Sequence, residues 1–171
     1  MNKYQFEKIS VKLTFSIDDI LSSIRNLSFV QWDVAAAEID AAKELIADIL
    51  EDENVPRVNE LITLAIRECE QALFSFVKQE AADGEVIGDA APTGTYKIDM
   101  FVPKGYSRTT LQSIRDMIKE YAVCRVLQDW ISTVNPPLSV GWAERSARML
   151  LQIETEANGS VPPYKRRLSP I

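Results

Sequence analysis

Two short stretches of the chain alternate apolar and polar residues with a period of two. The apolar positions are Ile9, Val11, Leu13 and Phe15 in the first stretch and Tyr96, Ile98, Met100 and Val102 in the second. Because successive side chains of a strand point to opposite faces, this alternation predicts half-buried strands over residues 9–15 and 96–102. The two strands are natural partners, either within one chain or between subunits.

Most of the other apolar residues recur at steps of three and four, the spacing of one face of an α-helix. This spacing predicts helices over about 17–27, 34–52, 56–76, 108–134 and 138–158. The helix at 34–52 has an acidic outer face. The helix at 108–134 is apolar on more than one side near Leu127 and Ile131, so we expect it at the centre of a bundle with both side chains buried.

Polar residues and prolines mark the ends of several helices. Ser16 followed by Asp19 resembles a capping box, and Ser107 is a suitable N-cap for the long helix. Pro136 and Pro137 end that helix, because proline lacks the N–H group that the hydrogen-bond ladder needs.

The last predicted helix ends near Gly159, since glycine favours the position after a helix C-terminus. Its inward side chains are predicted to be Ala143, Ala147, Leu150, Leu151 and Ile153.

Together these elements predict a mainly α fold, a bundle of four to five helices with a small two-stranded β element. With 171 residues the chain has the size of one domain. We expect a single helical domain over residues 1–158, interrupted by a loop at 81–95 that is rich in glycine, alanine and acidic residues. Residues 159–171 are predicted to form an extended, basic, proline-containing arm.

Composition removes much of the usual catalytic chemistry. The chain has no histidine, which is the commonest general base and the commonest transition-metal ligand. Its two cysteines, Cys69 and Cys124, lie inside apolar helical patterns and are predicted to be small buried hydrophobes. We expect no metal and no cofactor.

Recognised catalytic and nucleotide-binding motifs are absent from the sequence, including the phosphate-binding loop and the strand-linked glycine motif. Carboxylates do occur in close pairs, such as Glu38 with Asp40 and Asp116 with Glu120. Acids four apart on a helix usually form a solvated face, so the sequence predicts a protein that is not an enzyme. Chemistry by carboxylates alone is the enzymatic alternative.

Charge is divided unevenly along the chain. Residues 1–95 carry eight basic and 18 acidic residues, whereas residues 96–171 carry eleven basic and seven acidic ones. The acidic faces either keep the protein soluble or meet the basic surface of a neighbouring copy, as in a head-to-tail ring. No stretch is long and apolar enough for a signal or a membrane span, so a cytoplasmic location and no membrane partner are predicted.

The arm carries the candidate interaction residues. These are Tyr164, Lys165, Arg166, Arg167 and Leu168, which follow two prolines that prevent the arm from joining the last helix. An acidic domain without a basic stripe disfavours specific nucleic-acid binding. We therefore expect the arm to dock on another copy or on another protein, the alternative being a frayed chain end.

The C-terminal part of the chain resembles the small head-tail connector and head-completion proteins of tailed phages, including the Mu-type family found in prophages. The likeness extends over residues 121–171, about a third of the chain. It includes the helix IKEYAVCRVLQDW, the proline break at 135–137, the helix WAERSARMLLQIE from Trp142, and the glycine and proline extension at 159–163. The strand at 96–103 before the long helix is also similar to such proteins.

This resemblance implies a mainly α-helical subunit that assembles as a ring at the capsid portal and has no catalytic residues. Its partners would be other copies of itself and portal or tail proteins, and its location the virion. The alternative reading of the same sequence is a helical protein-binding or regulatory module.

Overall fold

A computed structural model describes residues 7–35, 49, 51, 53–77 and 94–159. The elements follow the chain in the order β1 (Lys8–Ser16), α1 (Ile17–Ala35), α2 (Val55–Ala72), β2 (Thr95–Pro103), α3 (Arg108–Val134) and α4 (Pro136–Gly159). The fold is therefore mainly α with a two-stranded β element, as the sequence predicts.

The two strands pair with each other in the same chain. They are antiparallel, and the register places Leu13 opposite Ile98 and Phe15 opposite Tyr96. These four side chains are all buried, whereas the other face of the sheet carries Lys12 with its nitrogen 3.9 Å from a carboxylate oxygen of Asp99. The period-two pattern is thus confirmed, and the alternative in which the strands pair between subunits is not what the structure shows.

α1 begins where the sequence indicates and extends further than expected. The hydroxyl of Ser16 accepts a hydrogen bond of 3.4 Å from the backbone amide of Asp19 at the first turn. The predicted end near residue 27 and the predicted new start near residue 34 are both wrong, because one helix runs to Ala35. No glycine or proline lies between these points to stop it. The remainder of the helix predicted over 34–52 falls almost entirely outside the described residues.

α2 is shorter than its apolar pattern suggests. It ends at Ala72, four residues before the predicted end at Phe76. The Phe76 side chain is nevertheless buried, and its carbonyl accepts a hydrogen bond of 2.5 Å from the amide of Phe101 on β2. Val77 forms an isolated bridge with Met100, so the turn after α2 covers part of the outer edge of β2. The loop predicted at 81–95 lies outside the described residues, except for its last two positions.

α3 is the centre of the structure, as predicted. A turn through Gly105, whose φ of +93° favours glycine, leads from β2 to the N-cap Ser107. The Ser107 hydroxyl accepts a hydrogen bond of 3.4 Å from the amide of Thr110. α3 contacts α1, α2, α4 and β1, and both Leu127 and Ile131 are fully buried.

α4 begins at Pro136, two residues earlier than predicted. Prolines are tolerated there because the first helical N–H groups have no partner within the helix. Its end at Gly159 agrees with the sequence. The predicted inward face is only partly correct: Ile153 is buried, but Ala147 and Leu151 point to solvent, and the buried side chains are instead Trp142, Ser146, Ile153 and Ala157.

Candidate functional site

The residues selected from the sequence as the interaction site lie outside the part of the chain that the structure describes. These are Tyr164, Lys165, Arg166, Arg167 and Leu168. The acidic residues predicted to meet them also lie mostly in the undescribed segment after α1. Docking of the arm on an acidic surface therefore stays a prediction.

The carboxylates of Asp116 and Glu120 each lie beside an arginine. Asp116 lies 3.2 Å from the guanidinium of its neighbour Arg115, while Glu120 forms an ion pair with Arg145 of α4. Arg145 also lies over the ring of Trp142, 5.7 Å from its centroid. Each acid is thus engaged by a cation, and Glu120 joins two helices.

A second polar cluster joins α2 to α3. The phenol of Tyr121 donates a hydrogen bond of 2.5 Å to Oε2 of Glu68, and Nε of Arg125 lies 3.5 Å from the same oxygen. Further along the same pair of helices, Arg57 and Asp129 form an ion pair of 2.8 Å. These contacts fix the position of the central helix against its neighbour.

Burial makes the Tyr121 phenol and both thiols poor acids. Burial is the main cause that raises the pKa of Tyr121, and the hydrogen bond and negative charge of Glu68 raise it further. Burial likewise raises the pKa of Cys69, and it raises the pKa of Cys124 to about 11. Nucleophilic thiols need a lowered pKa and access, so both cysteines serve as packing residues, in agreement with the sequence.

A cleft of about 170 Å³ lies where the end of β1 and the start of α1 face α3. Its charged residues are Asp19, Arg115, Asp116 and Lys119, two acids and two bases. Two of these four charges, Arg115 and Asp116, pair with each other, and the lining as a whole carries no net charge.

The outward face of α4 is the strongest candidate for an interaction surface. Val140 is 56% exposed and Leu151 is 63% exposed, and the exposed Ala147 lies between them on the same face. Two of these three residues belong to the set that the sequence assigned to the interior. The expectation is wrong because α4 has apolar residues at helical spacing on two faces, and periodicity alone does not say which face meets the core.

Large apolar side chains are also exposed elsewhere. Phe74, in the turn after α2, is 64% exposed, and Leu64 on α2 and Ile9 on β1 are exposed to 44% and 41%. They lie on separate elements, and single exposed apolar side chains are common on monomeric proteins. Among the described elements, α4 exposes two large apolar side chains, Val140 and Leu151, on one face.

Comparison of the chain with family models, with curated proteins and with solved structures gives no match. Among the described residues, no group of three or more cysteine, aspartate or glutamate side chains is arranged to hold a metal ion. None of the helices in the described ranges has the length and apolar character needed to cross a bilayer.

Proposed function

We propose that this protein is a non-enzymatic assembly subunit that associates with copies of itself, of the kind represented by the head-tail connector and head-completion proteins of tailed phages. The observation that carries the proposal is the outward face of α4, where Val140, Ala147 and Leu151 are exposed along one line. Apolar side chains that stay exposed on one face of a helix are available to pack against a partner.

α4 presents this surface from a rigid support. It packs along α3, with which it shares the ion pair of Glu120 and Arg145 and a hydrogen bond of 3.0 Å from Ser146 to Gln128. A surface that is already ordered loses little conformational entropy when it binds, which favours assembly. The resemblance to connector proteins covers this same pair of helices.

The polar side chains around α3 support a structural role. Tyr121 and Glu68 bind each other across α2 and α3, and Arg57 and Asp129 do the same. Groups that are held in contacts between helices position the bundle, and the raised pKa of Tyr121 keeps its phenol protonated at neutral pH.

The proposed assembly is a ring. A contact between the basic arm of one copy and the acidic N-terminal half of the next joins two different surfaces, and repetition of such a contact closes into a ring when the rotation allows it. The opposite net charges of residues 1–95 and 96–171 support this arrangement.

Light scattering at low and at high salt tests the ring. We expect the full chain to form an oligomer at low salt, and a variant that ends at Gly159 to be smaller at the same concentration. A full-length variant with serine in place of Lys165, Arg166 and Arg167 is the matched control, since it removes the charges and keeps the arm. Monomers of all three proteins at every concentration and salt would contradict self-assembly.

The phage context has its own test. Sequencing of the DNA that flanks the gene is expected to show genes for terminase, portal and capsid proteins. Flanking genes of a metabolic or regulatory operon would contradict the connector role and favour the alternative of a regulatory protein-binding module.

A further inference from the structure

We propose that α4 pairs with α4 of a second copy, antiparallel and across a two-fold axis, through its outward face. This interface is separate from the contact between arm and acidic surface described above. The inference rests on the proposed self-association and names a surface that carries it, whether or not the arm contact forms.

The outward face has the spacing of a helix-pairing surface. Val140, Glu144, Ala147 and Leu151 follow one another at steps of four, three and four residues, which places them on one side of the helix. All four are exposed. The buried residues of α4, such as Trp142 and Ile153, lie on the opposite side.

This face is complementary to itself in one antiparallel register. When the two-fold axis passes beside residues 145 and 146, Val140 of one copy lies opposite Leu151 of the other. In the same register Glu144 lies opposite Ala147 of the second copy, and Arg148, one residue further along, is within reach of the Glu144 carboxylate. The symmetry repeats each pairing, so the interface contains two apolar and two ionic contacts. The small side chain of Ala147 lies next to the axis and allows the helices to approach closely.

The charged side chains on the outward face favour a second copy of the chain as the binding partner. Glu144 and Arg148 are exposed, and neither has an ion-pair partner within the described part of the chain. The nearby Arg145 differs, because Glu120 of the same chain engages it. The outward face therefore offers one acid and one base at positions that an identical helix, running the other way, satisfies.

A two-fold contact ends with two copies, unlike the head-to-tail contact of a ring. If both interfaces form, the product is a pair of rings stacked face to face. If only the α4 interface forms, the product is a dimer. Removal of the arm is expected to leave the α4 pairing intact, so failure of one proposal is distinguishable from failure of the other.

Disulfide trapping in the full-length protein tests the register. Two Ala147→Cys side chains would be displaced by about 4.5 Å along the paired helices, and two Thr155→Cys side chains by about 28.5 Å, given the rise per residue of a helix. Thr155 is exposed on the same face and is the matched control. The native cysteines are buried and contribute little background.

Under mild oxidation we expect the Ala147→Cys protein to form covalent dimers at least about tenfold faster than the Thr155→Cys protein. Equal rates for the two variants, or no dimer from either, would overturn the proposal. Both rates are measured on variants whose helical circular dichroism matches that of the natural chain.

Charge exchange tests the pairing of Glu144 with Arg148. Either single change, Glu144→Arg or Arg148→Glu, places like charges opposite each other twice and is expected to weaken dimerisation about tenfold in sedimentation equilibrium. The double variant restores opposite charges and is expected to return to the natural affinity. A double variant as weak as the single ones, or single variants with unchanged affinity, would refute the register. If α4 instead bound to α2 of another copy, the double variant would not regain the natural affinity.

Discussion

The phenol of Tyr106 donates a hydrogen bond of 2.9 Å to the backbone carbonyl of Ala157, which ties the turn after β2 to the last turn of α4. The last four carbonyls of a helix have no partner within the helix, so this contact satisfies one of them in a buried position. A side chain 51 positions away along the chain thus fixes the C-terminal end of α4.

Replacement of Tyr106 by phenylalanine is expected to lower the free energy of unfolding by about 1–3 kcal/mol, because it leaves the buried carbonyl without a donor. Chemical denaturation monitored by circular dichroism measures the loss. The ring is retained, including its edge-on contact with Phe76 at 6.3 Å, so packing changes little. An unchanged free energy would show that this hydrogen bond does not hold α4.

Truncation of Leu127 to alanine is expected to cost about 2–5 kcal/mol, since the side chain is fully buried in the centre of α3. Leu64→Ala is the matched control, because Leu64 is 44% exposed on α2, and its cost is expected to stay below about 1 kcal/mol. Urea denaturation of both variants gives the comparison. Equal costs would contradict the central position of α3.

Both cysteines are expected to resist alkylation in the folded protein at pH 8. Burial raises the pKa of each thiol and also blocks access, so the reactive thiolate is scarce. We expect the folded protein to be labelled at least about a hundredfold more slowly than the protein unfolded in guanidinium, where two thiols per chain react. Rapid labelling of one thiol in the native state would show that Cys69 or Cys124 is exposed or activated.

Alkaline pH is expected to destabilise the protein in part through Tyr121. Its pKa is raised in the folded state above the ordinary value of 10.0, so the unfolded chain loses this proton first. The contribution of this raised pKa to the free energy of unfolding is complete below about pH 10. It declines at higher pH, by up to about 1.4 kcal/mol per pH unit. The Tyr121→Phe variant lacks this dependence, so its unfolding free energy is expected to fall less steeply than that of the natural chain above pH 10. Parallel slopes for the two proteins would contradict the assignment.

The sequence predicts most of the fold because its signals are local. Alternation identifies β1 and β2, and Ser16 and Ser107 mark helix starts through hydrogen bonds that span three residues. The end of α2 is missed because Phe76 continues the apolar pattern while it packs from a turn. A buried apolar residue at helical spacing gives the same pattern whether it belongs to the helix or to the turn that follows. Periodicity alone therefore does not locate the end of the helix.

The candidate surface on α4 is harder to predict. Leu151 and Ile153 are both apolar and both fit a helical face, and the choice between them depends on how α4 rotates against α3. That rotation is set by contacts between distant residues, such as Glu120 with Arg145 and Tyr106 with Ala157. A pattern within one helix carries no information about them.

Native mass spectrometry of the full-length protein at low salt tests whether the chain assembles with itself. We expect one closed oligomer of defined stoichiometry, which loses subunits when Leu151→Asp places a charge on the α4 face and when the arm is removed. A monomer that persists at concentrations up to those of crystallisation would contradict it, as would an oligomer that is indifferent to both changes.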